Sequence, residues 1–146
     1  INSDLERVGD QAVNIAERAM DLAELPQADL PVDIPRMAAA VSAMVRRSLE
    51  SFIEGKAELA QAVLEMDNVV DRMKDEAFIT LVKTMNDRPE VTRQALDALL
   101  VARNLERVAD HATNIAEDVI FWVRGADVRH NVSSEPPVHQ ASSDTR

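Results

Sequence analysis

Wound as an α-helix, the chain brings Glu106, Asp110 and Glu117 within about 40° of one another, with Arg103 and Asn114 beside them. Asp67 and Asp71, in Met66-Asp67-Asn68-Val69-Val70-Asp71, make a second acidic pair at the same spacing, next to the apolar Val63, Met66 and Val70. Glu6 and Asp10 make a third, followed by Asn14 and Glu17. Like charges four apart on a helix repel by a few tenths of a kcal/mol, so nothing local favours the pattern. A cation would: carboxylates at i and i+4 project in parallel, and two such helices side by side offer four hard oxygen donors to a metal ion or small cluster. The expectation is that Asp67, Asp71, Glu106 and Asp110 converge on one site, with Glu6 and Asp10 as a further metal-ligating pair. The competing reading is a solvated acidic face with Arg72, Lys74, Arg103 and Arg107 as its ion-pair partners, the ordinary exterior of an amphipathic helix.

Two features weigh toward the cation. Leu5-Glu6-Arg7-Val8-Gly9-Asp10-Gln11-Ala12-Val13-Asn14-Ile15-Ala16-Glu17 returns as Leu105-Glu106-Arg107-Val108-Ala109-Asp110-His111-Ala112-Thr113-Asn114-Ile115-Ala116-Glu117, identical at ten of thirteen positions. A repeat of this kind is one supersecondary unit used twice, and packing alone would not preserve its acids and Asn. A matching pair, Asp67 and Asp71, then lies on the neighbouring helix of the same unit. Other chemistry has no footing. Gly9, Gly55 and Gly125 are the only glycines and form no phosphate loop. His111 directly follows Asp110, without the spacing that places a histidine on the face of its acid, and reads as flanking surface. No serine has a base beside it at helical spacing.

The elements that must position these acids are helices. Apolar residues recur at three- and four-residue intervals up to Arg124, with Gly and Pro as punctuation. The first helix spans about Asn2 to Leu25, with Leu5, Val8, Ala12, Ile15 and Ala19 on one stripe. Pro26, Pro31 and Pro35 make an extended linker over 26–35. Asp33 caps a second helix, in which Pro35 occupies an early turn and Met37, Val41, Met44, Val45, Ser48 and Phe52 face inward, and Gly55 ends it. The third, about Lys56 to Met85, turns Leu59, Val63, Met66, Val70, Met73 and Ala77 to the core. The fourth runs from Pro89 to Arg124 on Leu105, Ala109, Ala112, Ala116, Val119 and Val123, and Gly125 is expected to stop it. Residues 36–124 are expected to form one three-helix repeat, and 1–25 to belong to a truncated one that extends upstream. Residues 125–146, rich in Ser, Pro, His and Asp, read as a disordered tail in which His130 and His139 are solvated.

Composition narrows the partners. A charge of -10 on 146 residues argues against broad binding to nucleic acid or to an anionic membrane. With no cysteine, any metal site must use oxygen or imidazole. Four aromatic residues, Phe52, Phe78, Phe121 and Trp122, are too few for stacking platforms. No stretch approaches the roughly twenty apolar residues that span a bilayer, so no direct membrane insertion is expected.

The repeated segments at Leu5–Glu17 and Leu105–Glu117 resemble the PhoU family of bacterial phosphate-signalling proteins. The resemblance implies an all-α fold of two three-helix repeats, here one complete repeat plus an extra N-terminal helix. It implies acidic motifs that hold surface metal clusters, with iron, zinc, manganese or magnesium as candidate divalent or trivalent ions. It also implies a regulator, not an enzyme, one that represses the phosphate-starvation regulon through the ATPase of the phosphate ABC transporter and a sensor histidine kinase. Such a protein is cytoplasmic, held at the inner membrane by those partners, and commonly a homodimer or higher oligomer. A carboxylate-bridged metalloenzyme and a purely structural bundle are the alternatives; the first would need an ExxH pair that is absent. The family pattern would cover the first helix with two helices missing from this sequence, so its stripe is expected to pack against another chain.

Overall fold

The computed structural model describes residues 1–133, with 126–133 as backbone alone. It is all-α: α1 (Asn2–Glu24), α2 (Ile34–Glu54), α3 (Ala57–Asp87) and α4 (Thr92–Ser133), with one 3-10 turn at Pro89–Val91. The boundaries follow local chemistry. Asp33 accepts from the Arg36 amide at 3.0 Å, with Pro35 in the first turn of α2. Gly55 closes α2 in the left-handed region at φ 63, and the Lys56 amide returns to the Ser51 carbonyl at 3.1 Å. That conformation suits a residue without a Cβ. Between α3 and α4 the Arg88 amide caps onto the Thr84 carbonyl at 2.8 Å before Pro89 turns the chain.

The long α4 packs against each of the other three helices, and α2 packs on α3. The core joins Met37, Val41 and Met44 of α2, Val63 and Val70 of α3, and Val101, Leu105, Ala109, Ala112, Ala116 and Val119 of α4. The row of alanines on α4 lets two neighbours approach its backbone closely. Ser48 and Ser51 are fully buried because their hydroxyls donate to the Val45 and Ser48 carbonyls of their own helix. The linker is pinned as well, since Arg88 donates to the Asp29 carbonyl at 3.0 Å and Gln94 to the Pro26 carbonyl at 2.9 Å.

Three expectations are corrected. α1 does not depend on another chain for its contacts: it lies antiparallel along its own α4, and among the described helices it touches α4 alone. Its inward face is also shifted from the expected stripe. Asp4, Val8, Gln11, Ile15, Arg18 and Leu22 are the half-covered positions, whereas Leu5, Ala12 and Ala19 are exposed. Polar side chains, invisible to a stripe built on apolar residues alone, carry part of that interface. Lastly, Gly125 does not stop α4, which runs on to Ser133. Gly55 is the described glycine with positive φ; Gly125 keeps the helical conformation, where a lone glycine costs only about 1 kcal/mol. The remainder of the expected tail, residues 134–146 with His139, lies outside the described residues, as does the side chain of His130.

Candidate functional site

Side-by-side packing of α3 and α4 brings the two acidic ridges into one electrostatic neighbourhood. Burial pushes the Asp67 carboxyl above the usual carboxylate range, and the charges of Asp71, Asp110, Glu106 and Glu117 push it further. Asp110, on the exposed rim, is also raised, first by partial desolvation and then by Glu106 and Asp71, while His111 and Lys74 oppose the shift. The acids of α3 therefore feel those of α4. Asp67 Oδ1 is buried without a hydrogen-bond partner, an uncommon state for a carboxylate oxygen.

One cation already stands in the ridge. Lys74 Nζ donates to Glu106 Oε1 at 3.1 Å and lies 3.3 Å from Asp75 Oδ1. Its ammonium is held above the usual lysine range, first by that hydrogen bond to Glu106. Arg72, Arg103 and Arg107, the other expected counter-ions, make no ion pair with the ridge among the described residues. The acids share a field without being a finished ligand set: among the described residues no three or more His, Cys, Asp or Glu side chains are grouped to hold a metal ion. Their chemistry nevertheless fits a hard cation, which would satisfy the orphaned Asp67 oxygen and relieve the mutual repulsion of the carboxylates.

Glu6 and Asp10 are placed elsewhere. Both are exposed on α1, which does not contact α3. Asn114, expected beside the α4 ridge, instead donates to Asp4 Oδ1 of α1 at 3.3 Å. His111 is not flanking surface: it is half-buried at the α1–α4 contact, with Nδ1 3.1 Å from the same Asp4 oxygen. Burial works against the Asp4 carboxylate, yet its hydrogen bonds to His111 and Asn114 win and hold it below its ordinary value. Asp97 was missed. Its side chain is 1 % exposed, 3.8 Å from Arg18 of α1 and 3.6 Å from Arg93 one turn earlier on α4. The signal was present, because Asp97 continues the apolar stripe of Val101 and Leu105, and a charge on such a stripe needs a partner.

Comparison with known proteins places this geometry. Residues 34–119, more than half of the chain, match the model of the PhoU domain. A phosphate-specific transport system accessory protein PhoU homolog from Pseudomonas aeruginosa is 41% identical over 130 residues, 87% of this chain and 53% of that one. The homolog from Deinococcus radiodurans is 35% identical over 124 residues, 85% of this chain and 58% of its own. The crystal structure of PhoU from Pseudomonas aeruginosa superposes with a TM-score of 0.78 at 38% identity, over 84% of this chain and 59% of that one. The chain spans about half the length of the curated relatives it matches. A helical architecture, a repeated acidic motif and a matching domain model agree, and the chain belongs to the PhoU family.

Proposed function

We propose that this chain is a regulatory adaptor of phosphate homeostasis, without catalytic turnover, and that the ridge of Asp67, Asp71, Glu106 and Asp110 is its cation site. In this reading it restrains phosphate uptake and the phosphate-starvation regulon through contacts with the ATPase of the phosphate ABC transporter and with a sensor histidine kinase. It works in the cytoplasm at the inner face of the membrane, as a homodimer or higher oligomer; no described helix is long and apolar enough to cross a bilayer. The adaptor role draws its support from relatives named as accessory proteins of a phosphate transport system.

The cation role draws its support from Asp67, half-buried with an unpartnered oxygen, whose carboxyl is raised by burial and by the charges of four further carboxylates of α3 and α4. Bound there, an ion would supply charge neutralisation and cross-link α3 to α4. Asp67, Asp71, Glu106 and Asp110 would supply its oxygen donors. Glu6 and Asp10, on the exposed face of α1, would hold at most a separate surface ion.

Binding of the purified chain to the transporter ATPase tests the adaptor role, and elemental analysis of the same preparation tests the cation role. Saturable binding, weakened by Asp67→Asn with Asp110→Asn or by a chelator, is the expected result. Absence of binding in both metal-loaded and metal-free protein overturns the adaptor reading, and a preparation that takes up no metal overturns the cation reading.

A further inference from the structure

No aromatic ring enters the core: Phe52, Phe78, Phe121 and Trp122 are all exposed, from 45% to 83%. Two of them stand on one furrow between α3 and α4. Phe121 joins Leu64 and Ile120 at an open groove of about 430 Å³, and Phe78 joins Leu99 and Leu100 at a second of about 360 Å³. Leu64 and Phe78 are fourteen residues apart on α3, so the grooves lie about 21 Å from one another. Since α3 and α4 run antiparallel, with Lys74 opposite Glu106, the stretch between the grooves holds Asp67 and Asp71 of α3 and Asp110 of α4. Glu117 lines the first groove and Glu106 the second. Five carboxylates thus share the middle of the furrow, and among the described residues Lys74 is the one cation that pairs with them. Arg124 and Arg103 line the two outer grooves. The furrow is apolar toward both ends and negative at its centre.

We propose that this furrow docks one amphipathic helix of a partner protein, about eighteen residues long, apolar toward both ends and carrying Arg or Lys in between. This rests on the adaptor reading and requires no metal. The two grooves supply seats for apolar anchors, and hydrated Phe rings gain most from being covered. The charge pattern selects the rest of the occupant. An anionic bilayer would be repelled by the acids, and a wholly apolar helix would strip them of water without pairing them. A basic helix does neither. Each N–H of a guanidinium bonds its own acceptor, so flexible Arg side chains can serve carboxylates that are not grouped to share a metal ion, the unpartnered Asp67 Oδ1 among them.

The test titrates the whole chain, in chelator, into a fluorescently labelled helical peptide of about eighteen residues with Leu and Phe toward both ends and Arg in the middle of one face, read by anisotropy. Phe78→Ser and Phe121→Ser should each weaken binding about tenfold, whereas Ile53→Ser, 80% exposed on α2, should stay within about twofold of wild type. A peptide with Ser in place of its apolar ends should also bind about tenfold more weakly, and about 0.5 M NaCl should weaken the parent peptide. Equal binding of the Ser-ended peptide would mean that the acids act alone as a charged surface, and overturns the furrow. A peptide that does not bind, or that ignores both Phe substitutions, overturns it too. Sedimentation of the chain by itself covers the other occupant: self-association abolished by Phe78→Ser and Phe121→Ser makes a second copy the ligand and defeats the proposal. Binding of the transporter ATPase is scored separately. If it persists where the peptide fails, the adaptor stands without the furrow; if it is absent while the peptide binds, the furrow stands and the ATPase contact falls. Competition between peptide and ATPase supports both. Circular dichroism checks each variant, and Phe121→Ser carries the test alone should Phe78→Ser not fold.

Discussion

Asp67→Asn should stabilise the metal-free protein, although it removes a polar interaction from no one. Burial and the charges of four other carboxylates disfavour the ionised form of Asp67, and its Oδ1 has no hydrogen bond to lose. A like-charge pair at i and i+4, such as Asp67 and Asp71, costs a few tenths of a kcal/mol, and with the weaker fields of the α4 acids neutralising Asp67 should gain up to about 1 kcal/mol at low salt. For a domain of this size that raises the thermal midpoint by about 4 °C. The pH dependence has a defined sign. With its pKa raised on folding, Asp67 binds its proton more tightly in the folded than in the unfolded chain. Its contribution is thus fully present at low pH and is lost as pH rises through the window above the ordinary carboxylate range.

Metal-free wild type should therefore gain stability on acidification from neutral pH through that window, and Asp67→Asn should show a shallower slope. Asp4, whose pKa is lowered, acts in the opposite sense and loses its contribution only below the ordinary range. Urea or thermal unfolding in chelator, at low salt and again in about 1 M NaCl where the Debye length is about 3 Å, provides the assay. Salt should shrink the gain. A destabilised Asp67→Asn at pH 7, or a gain that ignores salt, would refute the electrostatic account. If the ridge is the proposed cation site, saturating metal should reverse the order, because the variant would then lose a ligand.

Met44→Ala, at a fully buried position, should cost about 2 to 5 kcal/mol by chemical denaturation. Gly55→Ala, forced into a left-handed conformation, should cost about 1 to 2 kcal/mol and lower the thermal midpoint, with Trp122 at 3.5 Å adding little strain. Asp4→Ala should loosen α1 by under about 1 kcal/mol, read as faster amide exchange in α1 with α2 and α3 unchanged; uniform acceleration would mean that α1 is not separately held. Leu105→Ser should cost about 3 kcal/mol or more, and Leu5→Ser, the same change in the same motif, under about 1 kcal/mol.

Much of the fold was legible because the deciding interactions are local. Asp33 with Pro35 and Gly55 with its left-handed φ are cap chemistry that a few residues determine. The inward faces of α2, α3 and α4 follow from the 3.6-residue period, except at Phe52, expected to face inward but 45% exposed, with Ser51 buried beside it. Spacing also fixes which acids share a face of α3 and of α4, but among the described residues it does not group three of them as ligands. Spacing does not tell where a lysine head will settle. Lys74 reaches Glu106 through a flexible stem, and that contact, 32 residues apart, depends on the register of α3 against α4.

The two copies of the repeat show where sequence pattern stops being informative. Leu5 and Leu105 stand at corresponding places in segments identical at ten of thirteen positions, yet Leu5 is 38% exposed and Leu105 only 6%. Ala109, Ala112 and Ala116 are fully buried, while their counterparts Gly9, Ala12 and Ala16 are exposed. The motif states which side chains could be buried, and the neighbours decide which are. α4 has α2 and α3 against that face. α1 meets only α4, and it does so through a different face that mixes Val8 and Ile15 with Asp4, Gln11 and Arg18. On that face specificity comes from polar pairs placed far apart in sequence: Asp4 with His111 and Asn114 at one end, and Arg18 with the buried Asp97 at the other. Such pairs leave no periodic trace, because each partner is one residue on its own helix. An antiparallel register alone brings them together, and with polar matches at both ends a slip of one turn would leave the buried Asp97 without Arg18.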